Sequence, residues 1–159
     1  MVFPERQDWL LRFIAGDPGD EPWIDRIRLM KGMFLFQRRP TAPGEINYAF
    51  KPYDYGPFTP DVYRDVEALS DEGFVISSSE HAYRATEFGK EYLGSLSFPG
   101  ALEHELLSIR EEVISLSFRE LLRKVYSEHP ESASRSVAKD IIGDISRRPF
   151  MRRGHRTGL

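Results

Sequence analysis

Glu67 to Leu93 reads as a helix, a two-stranded hairpin and a second helix with no linker between them, and few arrangements absorb three such turns of chain so quickly. From Pro60 to Glu72 the apolar residues Val62, Val66 and Leu69 recur at intervals of four and three, which puts them on one helical face that has to be buried. Gly73 then supplies a left-handed helix stop, and Phe74, Val75 and Ile76 begin a strand. Ser77 to His81 is polar and turn-rich. Ala82 to Ala85 returns antiparallel, with Tyr83 toward the core and Arg84 toward water. Thr86 caps the next helix, Glu87 occupies its positive first turn, and Phe88, Tyr92, Leu93 and Leu96 form its expected buried stripe.

This order is the outline of a winged helix. The string Ala68-Leu69 to Gly73-Phe74-Val75, followed by Tyr83-Arg84-Ala85-Thr86-Glu87-Phe88-Gly89-Lys90-Glu91-Tyr92-Leu93, resembles the pattern of MarR- and PadR-type winged-helix regulators. Upstream, Arg28 to Phe36 leads through a loop into Tyr53-Asp54-Tyr55-Gly56-Pro57-Phe58-Thr59-Pro60-Asp61-Val62-Tyr63. That order is similar to the Panacea antitoxin-like domain and related YwgA-like bacterial proteins, as is the helix Leu121 to Tyr126 followed by His129-Pro130-Glu131. The resemblance covers roughly Ile24 to Glu131. It implies an antitoxin-like or adaptor role, in which a partner protein is neutralised or delivered.

The rest of the chain supplies helices around this unit. Pro4 to Ala15 has Trp9, Leu10, Phe13 and Ile14 inward and ends at Gly16. Pro22 to Arg38 is apolar on two faces, Ile24, Ile27, Met30 and Phe34 on one and Leu29, Met33 and Phe36 on the other, so it belongs in the middle of the fold. The alternation Ile46, Tyr48, Phe50 allows a short strand, a third one beside the hairpin. Tyr55-Gly56-Pro57-Phe58 then aims Pro60 at the first position of the following helix, with Thr59 as its cap. Leu102, Leu106, Ile109 and Val113 mark an amphipathic helix over Pro99 to Ile114. Ser117 and Glu120 form a capping box, with Leu116 and Leu121 as a hydrophobic staple, for a helix running to His129. Val137, Ile141 and Ile145 are spaced for one more helix, and disorder is expected from Pro149 onward. The expected class is α+β, mainly helical, with residues 1–146 forming one domain and 147–159 a basic tail.

A chain of 159 residues is of single-domain size and needs no staple. The absence of cysteine fits a reducing cytosol, and no uncharged apolar run approaches the roughly 18 residues that span a bilayer. A cytoplasmic location is expected, with no membrane contact. The net charge of −3 hides an asymmetry: Arg147, Arg148, Arg152, Arg153 and Arg156 stand among no acids, so removing their +5 leaves residues 1–146 at −8. Nucleic-acid contact, an acidic partner and a solvated terminus all produce such a pattern, and the solvated terminus is the commonest.

Catalytic chemistry is not written in the chain. His81, His104, His129 and His155 lack the spacing that sets two ligands on one helical face, and there is no Gly-rich phosphate loop or nucleophile elbow. No metal, cofactor or enzymatic activity is expected. For nucleic acid, the helix before the hairpin carries Asp61, Asp65, Glu67, Asp71 and Glu72 against Arg64 alone, which is the wrong sign for a duplex reader. Positive charge sits instead at Arg26, Arg28, Lys31, Arg38 and Arg39, and in the tail. The leading expectation is therefore a non-enzymatic protein-interaction module with a toxin or regulated protein as partner. Tyr53, Tyr55, Gly56, Pro57 and Phe58 are its surface or the support for that surface, because aromatic side chains carry large contact area at low entropy cost. The alternative is a DNA-binding regulator using Arg64, Arg84 and the five tail arginines, with duplex binding weak. Homodimerisation is compatible with either.

Overall fold

A computed structural model describes residues 2–133. The expected helix around Val137 to Ile145 and the basic tail lie outside those residues. The architecture is α+β and mainly helical, with six α-helices and two small antiparallel sheets among the described residues. Helix α1 is Arg6–Ala15, strand β1 Ile24–Asp25, helix α2 Arg26–Gln37, strands β2 and β3 Lys51–Tyr53 and Gly56–Phe58, and helix α3 Pro60–Asp71. Strands β4 and β5 are Val75–Ser77 and Ala82–Ala85, followed by helices α4 Glu87–Gly94, α5 Gly100–Ser115 and α6 Phe118–Glu128 and a 3₁₀ turn, Pro130–Ala133. No helix among these residues is long and apolar enough to cross a membrane.

Helix α2 is the centre. Every residue from Leu29 to Phe36 is buried, as its two apolar faces require, and α1, α5, α6, β1 and β3 pack around it. Its start differs from the sequence expectation. Asp25 accepts hydrogen bonds from the backbone N–H groups of Ile27 (3.1 Å) and Arg28 (2.9 Å), so the helix begins at Arg26. The residues before it are thereby left extended, and β1 pairs with β5 through Ile24↔Tyr83 and Asp25↔Ala82.

The third strand beside the β4–β5 hairpin is therefore β1, in the order β1-β5-β4, and the segment Ile46 to Phe50 forms no strand. The physical reason lies in Gln37. Its side-chain amide accepts from the Tyr48 N–H (3.0 Å) and donates to the Tyr48 carbonyl (2.8 Å), which satisfies the Tyr48 backbone without a ladder. The rings of Tyr48 and Phe50 turn inward, and the alternation reports packing of a loop.

The helix–hairpin–helix unit forms where its residues place it. Thr59 accepts from the Asp61 N–H (3.2 Å) with Pro60 at the first helical position, and Val62, Val66 and Leu69 are buried. Gly73 has φ of 84°, and the Phe74 N–H returns to the Leu69 carbonyl (2.9 Å) to close α3. Thr86 accepts from the Gly89 N–H (3.0 Å) and donates to the Gly73 carbonyl (2.7 Å), tying both ends of the hairpin together. One inward residue is misplaced in the sequence reading. Phe88 is 58% exposed, because Gly89, Tyr92 and Leu93 turn toward the body and Phe88 only lies against the Phe74 ring at 5.2 Å. Ser117 and Glu120 make the expected capping box at α6, with Leu121 buried below it.

Buried charge ties the helices to one another. Asp65 of α3 is 4% exposed and accepts from Arg6 of α1 at 2.8 and 3.2 Å, from Gln7 at 3.3 Å and from the Tyr48 hydroxyl at 2.6 Å. The Arg6 guanidinium also lies 4.5 Å over the Tyr48 ring. Arg110 of α5 donates to the carbonyls of Phe13, Ile14 and Glu21 at 2.6, 3.0 and 2.8 Å, capping the carboxyl end of α1. Arg28 does the same for α5, reaching the carbonyls of Val113 (3.0 Å) and Leu116 (2.6 Å).

Because Leu69 is fully packed and Glu67 faces water, Leu69→Ala is expected to cost about 2–5 kcal/mol and Glu67→Ala to stay within about 0.5 kcal/mol. Urea unfolding of the two variants checks this. Equal losses would show that the inward face of α3 is misassigned.

Candidate functional site: the aromatic hairpin over Lys31

The five residues singled out in the sequence form a second hairpin, separate from the β4–β5 sheet. Strands β2 and β3 pair through Lys51↔Phe58, Pro52↔Pro57 and Tyr53↔Gly56, with Asp54 and Tyr55 at the tip. Pro52 and Pro57 face each other and neither has an N–H, so the middle of this ladder is weak and its edge is blunted against further pairing. An isolated two-stranded hairpin is at best marginal in water, so this one depends on what lies beneath it.

Its base is inserted into the body. Gly56 and Pro57 are buried, and Gly56 has φ of 94°, a conformation that side chains resist. A Cβ at this position would stand 3.4 Å from the Tyr126 ring and 3.5 Å from Cε of Lys31. Lys31 itself is only 4% exposed, and its Nζ donates to the Pro57 carbonyl at 3.3 Å. Burial pushes its amine down to about 8.

Its tip points outward. Tyr53 and Tyr55 are 46% and 49% exposed, and Phe58 is half-buried between them and the body. Tyr53 stacks on Phe58 at 5.2 Å, Phe58 meets the Tyr63 ring edge-on at 5.7 Å, and Tyr55 meets Phe118 at 5.8 Å. These contacts hold the rings in place on one side and leave the other in solvent. The five residues thus divide: Gly56 and Pro57 anchor, Tyr53 and Tyr55 face out, and Phe58 joins them.

Sequence reading missed the support. Lys31, Tyr63, Phe118 and Tyr126 come from α2, α3 and α6, and Lys31 was expected to carry charge on the surface of the central helix. One signal was available. A lysine inside a run from Leu29 to Phe36 that is apolar on two faces has little solvent-facing arc left to occupy.

The nucleic-acid candidates are not assembled in the same way. Arg64 pairs with Asp61 at 2.5 Å, and Arg84 lies exposed over the Trp23 ring at 5.4 Å. Asp65, one of the five acids counted on α3, is internal and neutralised by Arg6, so the acidic excess on that helix's surface comes from Glu67, Asp71 and Glu72. Arg28 and Lys31 are consumed inside the fold, Arg38 covers the Phe34 ring at 4.8 Å, and Arg39 lies 3.9 Å from Glu105. Arg147, Arg148, Arg152, Arg153 and Arg156 lie outside the described residues.

Among the described residues no three His, Asp or Glu side chains gather as a metal site. A cavity of about 520 Å³ is lined by Arg12, Asp17, Asp20, Lys90 and Glu103, but its cations are already engaged, Arg12 with Glu103 (2.6 Å) and Asp17 (2.8 Å), Lys90 with Glu87 (3.3 Å).

Gly56→Ala is expected to lose about 1 kcal/mol, since an alanine is strained at φ of 94°, although its Cβ would make only ordinary contacts with Tyr126 and Lys31. Chemical denaturation checks this, and an unchanged midpoint would mean that the hairpin base is not tightly seated. Comparison of the chain with protein-family models, curated proteins and solved structures finds no match, so its function is inferred from the hairpin and its surroundings.

Proposed function

We propose that this chain is a non-enzymatic protein-interaction module on a winged-helix core, antitoxin-like or adaptor-like, which presents the β2–β3 hairpin to a toxin or other regulated protein. The observation that carries this reading is the hairpin's polarity. Its base is seated in the body through the buried Gly56 and Pro57, while Tyr53 and Tyr55 stand half in solvent. A seated base with aromatic residues at the tip is the form that interface hot spots take, because the contact area is ordered before the partner arrives.

The winged-helix part of the reading is supported by the order β1, α2, α3, β4, β5, with the β2–β3 hairpin inserted between α2 and α3, and by β1 antiparallel to β5 and β5 to β4. The antitoxin-like part is supported by the resemblance of Leu29 to Phe36, Tyr55-Gly56-Pro57-Phe58 and Tyr63 to the Panacea pattern, whose residues meet at this hairpin.

The core outline also favours a second reading, a DNA-binding regulator in which α3 enters the major groove. Charge opposes it. The free face of α3 carries Glu67, Asp71 and Glu72, Arg64 is paired with Asp61, and phosphate neutralisation then falls on Arg84 and the five tail arginines.

Replacing Tyr53 or Tyr55 by Ala is expected to weaken partner capture more than about tenfold, or 1.4 kcal/mol, with the melting temperature nearly unchanged. Variants that unfold early, or that bind as the parent does, would overturn the platform. Duplex binding is expected to be weak and to lose salt dependence when residues 149–159 are removed; nanomolar sequence-specific binding by that truncated chain would favour the regulator.

A further inference from the structure

The β2–β3 hairpin is seated on a cation with no carboxylate opposite it among the described residues. Among the described residues Lys31 reaches one acceptor, the Pro57 carbonyl at 3.3 Å, and that acceptor belongs to the hairpin. Helix α2 contains no acid, and β3 contributes only Gly56, Pro57 and Phe58. From α6, the Tyr126 phenol stands beside Gly56, as the Lys31 stem does. The acids of α6 are committed elsewhere: Glu120 accepts from the Ser117 N–H (2.8 Å) and Glu128 from Lys124 (2.6 Å). In the following turn, Glu131 lies exposed, 3.8 Å from His129. Burial lowers the Lys31 amine, and no charge among the described residues offsets it.

A buried ammonium held by one carbonyl costs more than it recovers, and the cost exists only while the hairpin is down. The hairpin has little of its own to resist with, given its paired prolines and short strands. We propose that the β2–β3 hairpin is a strap closed over Lys31, poised to lift when that amine carries its proton and to take Tyr53 and Tyr55 with it. The device belongs to the free chain and holds whether or not a partner docks on the tyrosines.

The sign follows from the two states. The lifted form holds Lys31 in water near the ordinary lysine value of 10.5, and the closed form holds it near 8. The lifted form binds the proton more tightly, so falling pH favours lifting and rising pH favours closure. With those two values the opening constant falls about tenfold between pH 7 and pH 9.

Limited proteolysis of the full chain with chymotrypsin reads this directly, because cleavage after Tyr53 or Tyr55 requires the strap to open. Rates are normalised to a short peptide substrate at each pH, and the cut sites are located by mass spectrometry. The parent is expected to be nicked about tenfold more slowly at pH 9 than at pH 7, while Lys31→Met, which removes the charge and keeps the volume, shows a flat profile. The same pH dependence in both proteins, or none in the parent, would overturn the proposal. A carbon-13 titration of Lys31 Cε in the parent decides the matter if the methionine variant does not fold: a midpoint near 8 supports the strap, and one near 10.5 refutes it.

Discussion

A helix without a solvent-facing side has to be wrapped, and the wrapping of α2 organises everything else in this protein. Leu29 to Phe36 are all buried, so α1, α5, α6, β1 and the hairpin must each give it a face. One of those buried positions is a lysine. Its amine forces a polar acceptor into contact with the centre of the fold, and the Pro57 carbonyl supplies it. The aromatic hairpin is therefore attached to the core through the least apolar point on the core helix.

The connections between layers are made by arginines in place of further apolar surface. Arg6 reaches from α1 to Asp65 on α3, Arg110 from α5 to the end of α1, and Arg28 from α2 to the end of α5. Helix ends offer unsatisfied carbonyls that a guanidinium fits, so these contacts fix the order in which helices meet. The same economy changes the meaning of the charge pattern. Several of the cations outside the tail are structural, and the visible surface of α3 carries Glu67, Asp71 and, at its end, Glu72.

The helix–hairpin–helix from Pro60 to Gly94 was legible because its signals are local: spacing of Val62, Val66 and Leu69, the caps at Thr59 and Thr86, and the left-handed Gly73. What the sequence concealed was set by partners distant in the chain. Ile46 to Phe50 alternates like a strand, but the amide of Gln37 occupies its backbone. Asp65 looks like a surface acid until Arg6 arrives from a helix 59 residues away. Phe88 fits a buried stripe by type, yet Gly89 is the residue that approaches Phe74, because only a residue without Cβ fits there. For the candidate site, the aromatic tip and its glycine were readable from composition and turn chemistry. The amine beneath them was not, since a lysine on a helix is usually solvated and only packing on both sides of α2 buries it.

Tyr53 and Tyr55 face outward on a hairpin whose base belongs to the core, and the contact surface proposed there can be tested in the cell. Site-specific photocrosslinking tests it most directly, with benzoylphenylalanine placed in living cells at position 55 and, as a control for exposure alone, at position 88, whose native phenylalanine is 58% exposed on α4. One discrete crosslinked protein is expected from position 55 and none from position 88. Equal labelling at both positions, or labelling at 88 with none at 55, would contradict it.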